Sequence, residues 1–391
     1  MKNILVVIDS LQIGGITSSY KSLLNQLLKF EGYSVYSQVL NNQKININGI
    51  TQIWTCSLVK VLYIGRSELN KEKLLIKFIF YFSRALKFLF GEYFTKKIIF
   101  STINHKKFDI VISFCNDIYI KQRRSLLTNM YVDISINSTK KIAWIHADPR
   151  DIGLNDSIAS KIYNKYNNVI CVSDEQKKNV DNLCNSIHLK TSTIKNFIDC
   201  SSIMVKSNEY AIDMEKTKIN LLTIARIEFE TKAINRVIEI SIKLLSGDFN
   251  NFSWYIVGSG KDFVHMKTLV RQHNLENYLF LEGEKSNPYP YMKNADLFVL
   301  PSRYEAYPVV ILEAQCMSLP SIVTNYPSAI EQIINGFNGY IADNNSDDLY
   351  KKIIFVIQNK LHNLMKKNLK DSNYQNDANS ILNLSNILEE D

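Results

Sequence analysis

The sequence is poor in the features that announce a metal site or a covalent scaffold. Its six cysteines (Cys56, Cys115, Cys171, Cys184, Cys200 and Cys316) are widely scattered, with no Cys-x-x-Cys pair and no histidines clustered at ligand spacing. That spacing argues against both a disulfide scaffold and a structural zinc. No apolar run reaches the roughly 18 residues that a spanning helix needs. The nearest, Leu74 to Phe90, is broken by Lys77, Arg84 and Lys87. The chain runs from a single Lys2 straight into the strand-like Ile4 to Ile8, without the charged start, apolar centre and small-residue cleavage site of a secretory leader. A cytoplasmic protein is expected. Glycine (13) and proline (7) are sparse, which excludes a collagenous or low-complexity chain.

What is present is an ordinary globular composition, 46% apolar and 21% charged, over 391 residues, enough for two domains. The net charge of +8 suits anionic ligands or an anionic membrane surface and is too small to argue for nucleic acid unless it is concentrated. In the first half, short apolar runs (Ile4 to Ile8, Val35 to Leu40, Asp109 to Phe114, Lys141 to Ile145, Asn168 to Val172) alternate with helical stretches such as Thr17 to Phe30. Buried parallel strands have this pattern. The second half repeats it, with strands at Asn220 to Ala225, Trp254 to Val257, Tyr278 to Leu281, Asp296 to Leu300 and Ser321 to Thr324. Helices are expected at about 234–246, 261–274, 308–318 and 346–359. The fold class is therefore α/β, with two Rossmann-like doubly wound domains. The expected boundaries are a first domain at 1–199, a linker at 200–218, a second domain at 219–365, and a polar connection with a last helix at 366–391 that packs back on the first domain. The cleft between the domains is the default ligand site.

Three glycine-bearing or proline-bearing turns follow strands. Gly258-Ser259-Gly260-Lys261 is not a Walker loop, because Tyr255 stands where a glycine is required and Asp262 where Ser or Thr is required. Phe263 at the third glycine position excludes a dinucleotide fingerprint. It reads as a tight strand-to-helix turn. Gly14-Gly15 precedes a helix, so the backbone can approach a ligand and the helix start supplies open amides. A plain turn accounts for it equally well.

The third turn is Leu300-Pro-Ser-Arg-Tyr-Glu305-Ala306-Tyr307-Pro308-Val309-Val310-Ile-Leu-Glu313-Ala314. Pro308 fits the first turn of a helix, where a missing amide costs nothing, which leaves the amides of Val309 and Val310 open. Glu313, five residues on, stands about 7.5 Å along the axis, roughly the span from phosphate to ribose. Glutamates are usually solvated surface charge, but Glu313 lies among Val309, Val310, Ile311, Leu312, Ala314 and Cys316. A carboxylate in that setting is costly unless it is paired or binds a ligand, and it can accept two hydroxyl hydrogen bonds.

This Glu-x7-Glu segment, with Asn287-Pro-Tyr-Pro-Tyr-Met-Lys-Asn-Ala-Asp-Leu-Phe-Val-Leu300 before it, resembles the retaining GT-B glycosyltransferases of family 4. The resemblance runs from Gly14-Gly15 through Trp144-Ile145-His146, Val172-Ser173, Ala225-Arg226 and Lys232 to Glu331-Gln332-Ile333-Ile334-Asn335-Gly336, and is most specific in the second half. It implies that Arg226 and Lys232 grip the diphosphate of a nucleotide-sugar donor and offset charge on the leaving oxygen without metal. It further implies that the first domain is the acceptor side and the second binds the nucleotide sugar, that Glu313 holds the ribose, that Glu305 lies by the donor sugar, and that His146 lies near that sugar's hydroxyls. Gly14, Gly15, Gly258, Ala306, Tyr307, Val309 and Val310 would complete the donor surface. The catalytic set implied is Glu305, His146, Arg226 and Lys232, with no metal and no cofactor beyond the donor itself. The sequence has no Asp-x-Asp, the metal-binding pattern of the other common transferase fold.

Three positions depart from the family pattern. Ala306 replaces a usual glycine, Phe197 stands within Asn196-Phe-Ile-Asp199 where many relatives have glycine, and Ile16-Thr17 rather than a glutamate follows the early glycine pair.

Lys71 to Phe90 is aromatic and basic. At 100° per residue, Lys73, Lys77, Arg84 and Lys87 fall within about 80° of one another, opposite Leu75, Phe78, Ile79, Phe82, Leu86 and Leu89. Such a helix can lie on an anionic bilayer, or it can pack its apolar face on the sheet. The reading is a peripheral membrane enzyme that transfers a hexose or N-acetylhexosamine from a UDP-sugar or related donor to a lipid-linked glycan. A sugar-nucleotide epimerase, a phosphorylase or a silent nucleotide-sugar-binding scaffold partner stays open on the sequence alone.

Overall fold

The computed structural model describes residues 1–56, 59, 62, 69, 72, 74–103, 107–118, 128–372, 374 and 376–390. The chain forms two compact units, residues 1–197 with 377–391 and residues 198–376.

The first unit begins with β1 (Lys2–Ile8), α1 (Gly15–Leu27), β2 (Tyr33–Val39), β3 (Thr51–Ile53), α2 (Leu74–Ser101) and β4 (Phe108–Ser113). It continues through α3 (Thr128–Ser135), β5 (Ser138–Ile145), α4 (Asp156–Tyr163), β6 (Asn168–Cys171), α5 (Asp174–Leu183) and β7 (Thr191–Thr193). The second unit holds α6 (Cys200–Lys206), β8 (Ile219–Ile224), α7 (Arg236–Ser246), β9 (Phe252–Val257), α8 (Phe263–Gln272) and β10 (Leu279–Gly283). After these come α9 (Tyr289–Asn294), β11 (Leu297–Leu300), α10 (Val309–Cys316), β12 (Ser321–Thr324), β13 (Gly339–Ala342), α11 (Ser346–Gln358) and α12 (Leu361–Ser372). The chain then returns to the first unit with α13 (Ala378–Glu389).

Both sheets are parallel throughout, in the orders β3-β2-β1-β4-β5-β6-β7 and β10-β9-β8-β11-β12-β13. The central strands are covered on both faces, which is why Ile4–Ile8 and Phe252–Val257 read as unbroken apolar runs and are buried along their length. Each unit has its own core. Leu5, Val7, Val111, Tyr131 and Ala143 anchor one, and Leu221, Trp254, Ile256 and Val299 the other. Helix starts are fixed by short polar side chains. Asn155, Ser173, Asp199, Asn345 and Asp377 accept hydrogen bonds from the exposed amides of α4, α5, α6, α11 and α13.

Several boundaries differ from the sequence reading. The stretch 200–218, read as a linker, contains α6 and lies in the second unit, with Ile203 buried. The stretch from 366, read as a loose connection, continues α12. There His362, Met365 and Leu369 make a narrow buried stripe at helical spacing, which the surrounding Asn and Lys residues hide. Against a sequence reading that argued only against a disulfide scaffold, Cys200 and Cys316 are joined by a disulfide between the start of α6 and the end of α10, with Cα atoms 5.7 Å apart. A Cys pair far apart in sequence carries no spacing signature that could have shown this.

The basic aromatic segment also differs from its expected form. Lys71 and Lys73 lie outside the described residues. From Leu74 onward the helix runs past Phe90 to Ser101, broken only at Gly91 (φ 81°). Its last turn packs inward through Ile99 and Phe100, but before Gly91 the apolar side leaves Leu75, Phe78, Phe82 and Leu89 exposed. Its apolar face is therefore left largely open to solvent rather than packed on the sheet. Among the described residues no helix is long and apolar enough to cross a membrane.

Candidate active site

In an open parallel sheet, ligands collect where neighbouring strands lead to loops on opposite sides. In the second unit that point lies between β8 and β11. The loop after β8 carries Arg226 and Lys232, and the loop after β11 carries Glu305.

Lys232 Nζ donates to both carboxylate oxygens of Glu305, at 2.6 and 2.7 Å. The hydroxyl of Ser302 donates to Glu305 Oε1 at 2.7 Å, so this buried acid is held from two directions. Arg226 remains largely in solvent, its side chain 67% exposed and its Nε 3.3 Å from Glu228. Lys261 stands 3.4 Å from Glu228 and 3.0 Å from Glu230. The β8 and β11 loops are tied directly, because Arg303 N donates to Thr231 O at 2.8 Å. Beneath them the buried Arg236 donates to the carbonyl of Pro301 and to Asn344, and burial lowers its pKa.

Gly258 and Gly260 serve this site through the backbone. A Cβ at Gly258 would stand 2.0 Å from the carbonyl oxygen of Ala225, and one at Gly260 would stand 2.3 Å from that of Ile227. The turn after β9 is thus pressed against the loop carrying Arg226, and Ile227 N donates to Ser259 O across the contact at 3.0 Å. The tight turn inferred from the sequence is what Gly258 makes. Its closest contacts are with the protein's own chain.

Pro308 sits one place earlier than expected, as the residue preceding the helix, and Val309 opens α10. Gln332 fixes that helix start by donating from Nε2 to Pro308 O at 3.1 Å while its Oε1 accepts from Tyr326 at 3.2 Å. Ala306 is half-buried and Tyr307 buried on the way into the helix, with Val309 buried and Val310 half-buried after it. Glu313 is buried, and its Oε1 accepts a hydrogen bond from the Tyr289 hydroxyl at 3.0 Å. Ser302, Arg303, Arg236, Tyr289 and Gln332 were not singled out from the sequence. Ser302, Tyr289 and Gln332 stand inside the motifs quoted above. Arg236 carries no such signal, because it acts through carbonyls.

The other expected residues belong to the first unit. Gly14 precedes α1 with φ 147° and has nothing within 4 Å of a would-be Cβ, and Gly15 begins the helix. His146 follows β5. Its ring packs on Phe114 with centroids 4.5 Å apart, and its Nε2 is buried without a partner among the described residues. Burial pushes its pKa down to about 3, against the hydrogen bond to the Phe114 backbone, so the imidazole is neutral. Phe197 fills the core of this unit and is 1% exposed. Among the described residues no group of three His, Cys, Asp or Glu side chains converges as a metal ion would need.

Residues 207–374, under half of the chain, match the family model described as Glycosyl transferases group 1. An uncharacterized glycosyltransferase of Methanocaldococcus jannaschii is 28% identical over 251 residues, 60% of each chain. The Escherichia coli UDP-Gal:α-D-GlcNAc-diphosphoundecaprenol α-1,3-galactosyltransferase is 34% identical over 118 residues, 30% of each chain. The chain thus spans less than two thirds of the length of these relatives. The structure of Staphylococcus aureus TarM, solved with UDP, aligns over 100% of both chains at a TM-score of 0.66 and 17% identity, which shows the fold. The architecture is that of the GT-B glycosyltransferases, two Rossmann-like α/β domains, and the second unit carries the group 1 pattern.

Proposed function

We propose that this chain is a retaining, metal-independent glycosyltransferase of family 4. It would move a hexose or N-acetylhexosamine from a nucleotide-diphosphate sugar, with UDP the favoured nucleotide, to a lipid-linked glycan during cell-surface polysaccharide synthesis. The observation that carries this reading is the grouping of Lys232, Glu305 and the exposed Arg226 on loops at the switch point of the second sheet, with the start of α10 following Glu305. Two cations and open helix amides suit a diphosphate, and the charge they offset is the charge a metal ion would otherwise meet. Glu313, presented with Tyr289, suits a pair of ribose hydroxyls. The E. coli relative, whose name specifies UDP-galactose and a diphosphoundecaprenol-linked sugar, supports the choice of donor and acceptor class.

In this mechanism the acceptor hydroxyl attacks C1 from the face that the diphosphate leaves. The C1–O bond to the diphosphate breaks as the new glycosidic bond forms, and a phosphate oxygen takes the acceptor's proton. Glu305 orients and stabilises, and His146 offers a neutral imidazole to sugar hydroxyls. The test is UDP release with cell-derived lipid acceptor, with and without EDTA, for wild type and Glu305→Gln. Release that survives EDTA and collapses in the variant supports the reading. Equal release by both proteins counts against the site.

The exposed face of α2 favours a peripheral seat on anionic lipid. Phe78, Phe82 and Leu89 would enter the acyl boundary, with Lys77, Arg84 and Lys87 near the headgroups. Replacing those three cations with Glu should release the protein from phosphatidylglycerol vesicles, and unchanged binding would end the idea.

A further inference from the structure

The first sheet has a switch point of its own, between β1 and β4. By the same topological rule this is where the first unit should take a ligand. The side chain standing there is Asp9, the residue after β1. Opposite it, two residues after β4, stands Cys115, whose Sγ lies 3.5 Å from Asp9 Oδ1.

The environment of Asp9 is unusual for a carboxylate. Its Oδ1 accepts from Ser10 N at 2.6 Å and from the Ser10 hydroxyl at 3.4 Å, in addition to the thiol. Oδ2 accepts no hydrogen bond from the described residues, and no Lys, Arg or His among them pairs with the acid. Burial raises its pKa, with the Ser10 and Cys115 hydrogen bonds opposing. Oδ2 is not among the buried unpartnered atoms, so it reaches solvent and is open to a ligand hydroxyl that displaces water. No structural duty explains the free oxygen, since Asp9 neither caps a helix nor closes an ion pair.

The surroundings indicate what that ligand is. The next strand ends carry Asn116, whose Oδ1 accepts from His146 N at 3.0 Å, and then His146 itself with its unpartnered Nε2. In the loop leading from Asp9 to α1, Ile13 is 61% exposed and Ile16 45% exposed on either side of the open Gly14-Gly15 backbone. Acceptor-only oxygen beside apolar surface and permissive backbone matches a pyranose, which presents hydroxyl donors at its edge and C–H groups on its face.

We propose that Asp9 is a positioning residue for the acceptor, its Oδ2 accepting a hydrogen bond from a hydroxyl of the acceptor's terminal sugar while Ile13 and Ile16 meet the ring's C–H face. This rests on the glycosyltransferase reading above and adds to it the acceptor-side residue.

The experiment uses the full chain, a UDP-sugar and a lipid extract of the source cells as acceptor. Wild type is measured first. UDP release that does not depend on the extract overturns the transferase reading, and this proposal with it. With extract-dependent release in hand, Asp9→Asn should raise the apparent acceptor KM about ten- to a hundredfold, the effect of losing a hydrogen bond to a charged group. The donor KM and the thermal shift produced by UDP should be unchanged, which a general loss of structure would not leave intact. Asp9→Glu should restore part of the affinity. Ile13→Ser alters only an exposed side chain and should raise the acceptor KM at least threefold, which keeps the test open if Asp9→Asn does not fold. An unchanged acceptor KM in the folded Asp9 variant, or in Ile13→Ser, overturns the proposal while leaving the transferase reading in place.

Discussion

Lys232 and Glu305 form a bifurcated ion pair in which a single ammonium is shared by both oxygens of one carboxylate, at 2.6 and 2.7 Å. In the proposed function, a diphosphate entering this site would compete with Glu305 for the cation. The acid cannot swing away freely, because Ser302 holds Oε1. Both side chains are thus placed before any ligand arrives, which lowers the reorganisation needed at the moment of reaction. Glu305→Gln and Lys232→Ala are each expected to lower kcat by roughly a hundred- to a thousandfold, the usual effect of removing one preorganised electrostatic group. Only Lys232→Ala should also weaken UDP binding in a thermal-shift titration. Turnover by Glu305→Gln within twofold of wild type would remove Glu305 from the site.

Arg226 is a different kind of residue, exposed and, among the described residues, paired with Glu228. Its replacement by Ala should leave the unfolding free energy within about 0.5 kcal/mol of wild type, as for most surface positions. Activity with the UDP-sugar should nevertheless fall at least tenfold. A urea melt and a UDP-release assay on the same preparation separate the two effects.

Gly258 carries the opposite expectation. A methyl group there meets the Ala225 carbonyl at 2.0 Å, and the residue sits at φ 145°, where side chains are strained. Gly258→Ala should cost about 2–3 kcal/mol by overpacking and backbone strain. It should also displace the Arg226 loop, so that affinity for UDP falls along with the urea midpoint. A variant of wild-type stability would show that the β8 and β9 turns can separate without cost.

The Cys200–Cys316 bridge closes a long loop within the second unit, with a sequence separation of 116. In the chain-entropy account such a crosslink is worth about 5 kcal/mol. Cys316→Ser, or reductant added to wild type, should lower the guanidinium midpoint of this unit, and reductant should have no further effect on the variant. Identical midpoints in all three cases would show that the bridge contributes nothing to stability.

His146 makes the stability depend on pH in a defined direction. Its folded pKa is depressed to about 3 from 6.5, so on acidification the unfolded chain takes up a proton that the folded chain refuses. The contribution is fully present above pH 6.5 and is lost as pH falls from there toward 3. The slope is up to about 1.4 kcal/mol per pH unit. The urea unfolding free energies of wild type and His146→Gln should therefore diverge by about that much per unit below pH 6. Parallel curves would place the imidazole in contact with water.

The sequence made the repeating strand-and-helix pattern plain because both sheets are covered on two faces. Runs such as Phe252–Val257 then have no polar alternation to blur them. The short edge strands β3, β7 and β13 were missed, since Thr51–Ile53 and Thr191–Thr193 are too short and too polar to stand out from loop. Glu313 stood out because a carboxylate among apolar neighbours is costly and demands a reason, whereas Glu305 and Lys232 came with the family resemblance. Arg236 and Gln332, which hold the loop and helix start in place, were not legible, because a side chain that satisfies a backbone carbonyl leaves no pattern in composition or spacing. Asp9 escaped notice for another reason. A single acid after a strand is common, and only the order of strands shows that this one ends at a switch point.

The return of α13 to the first unit has a consequence for how the chain is made. Lys140 of β5 is nearly buried, and its ammonium donates to the carbonyl of Ile387 at 2.8 Å. Asn383 reaches the carbonyl of Thr193 at 3.1 Å in the same way. On the ribosome these partners emerge only after the whole of 198–376 has been translated. The later-encoded Rossmann unit is contiguous and can complete itself first, while the earlier one must wait with a charged side chain still hydrated in its flank.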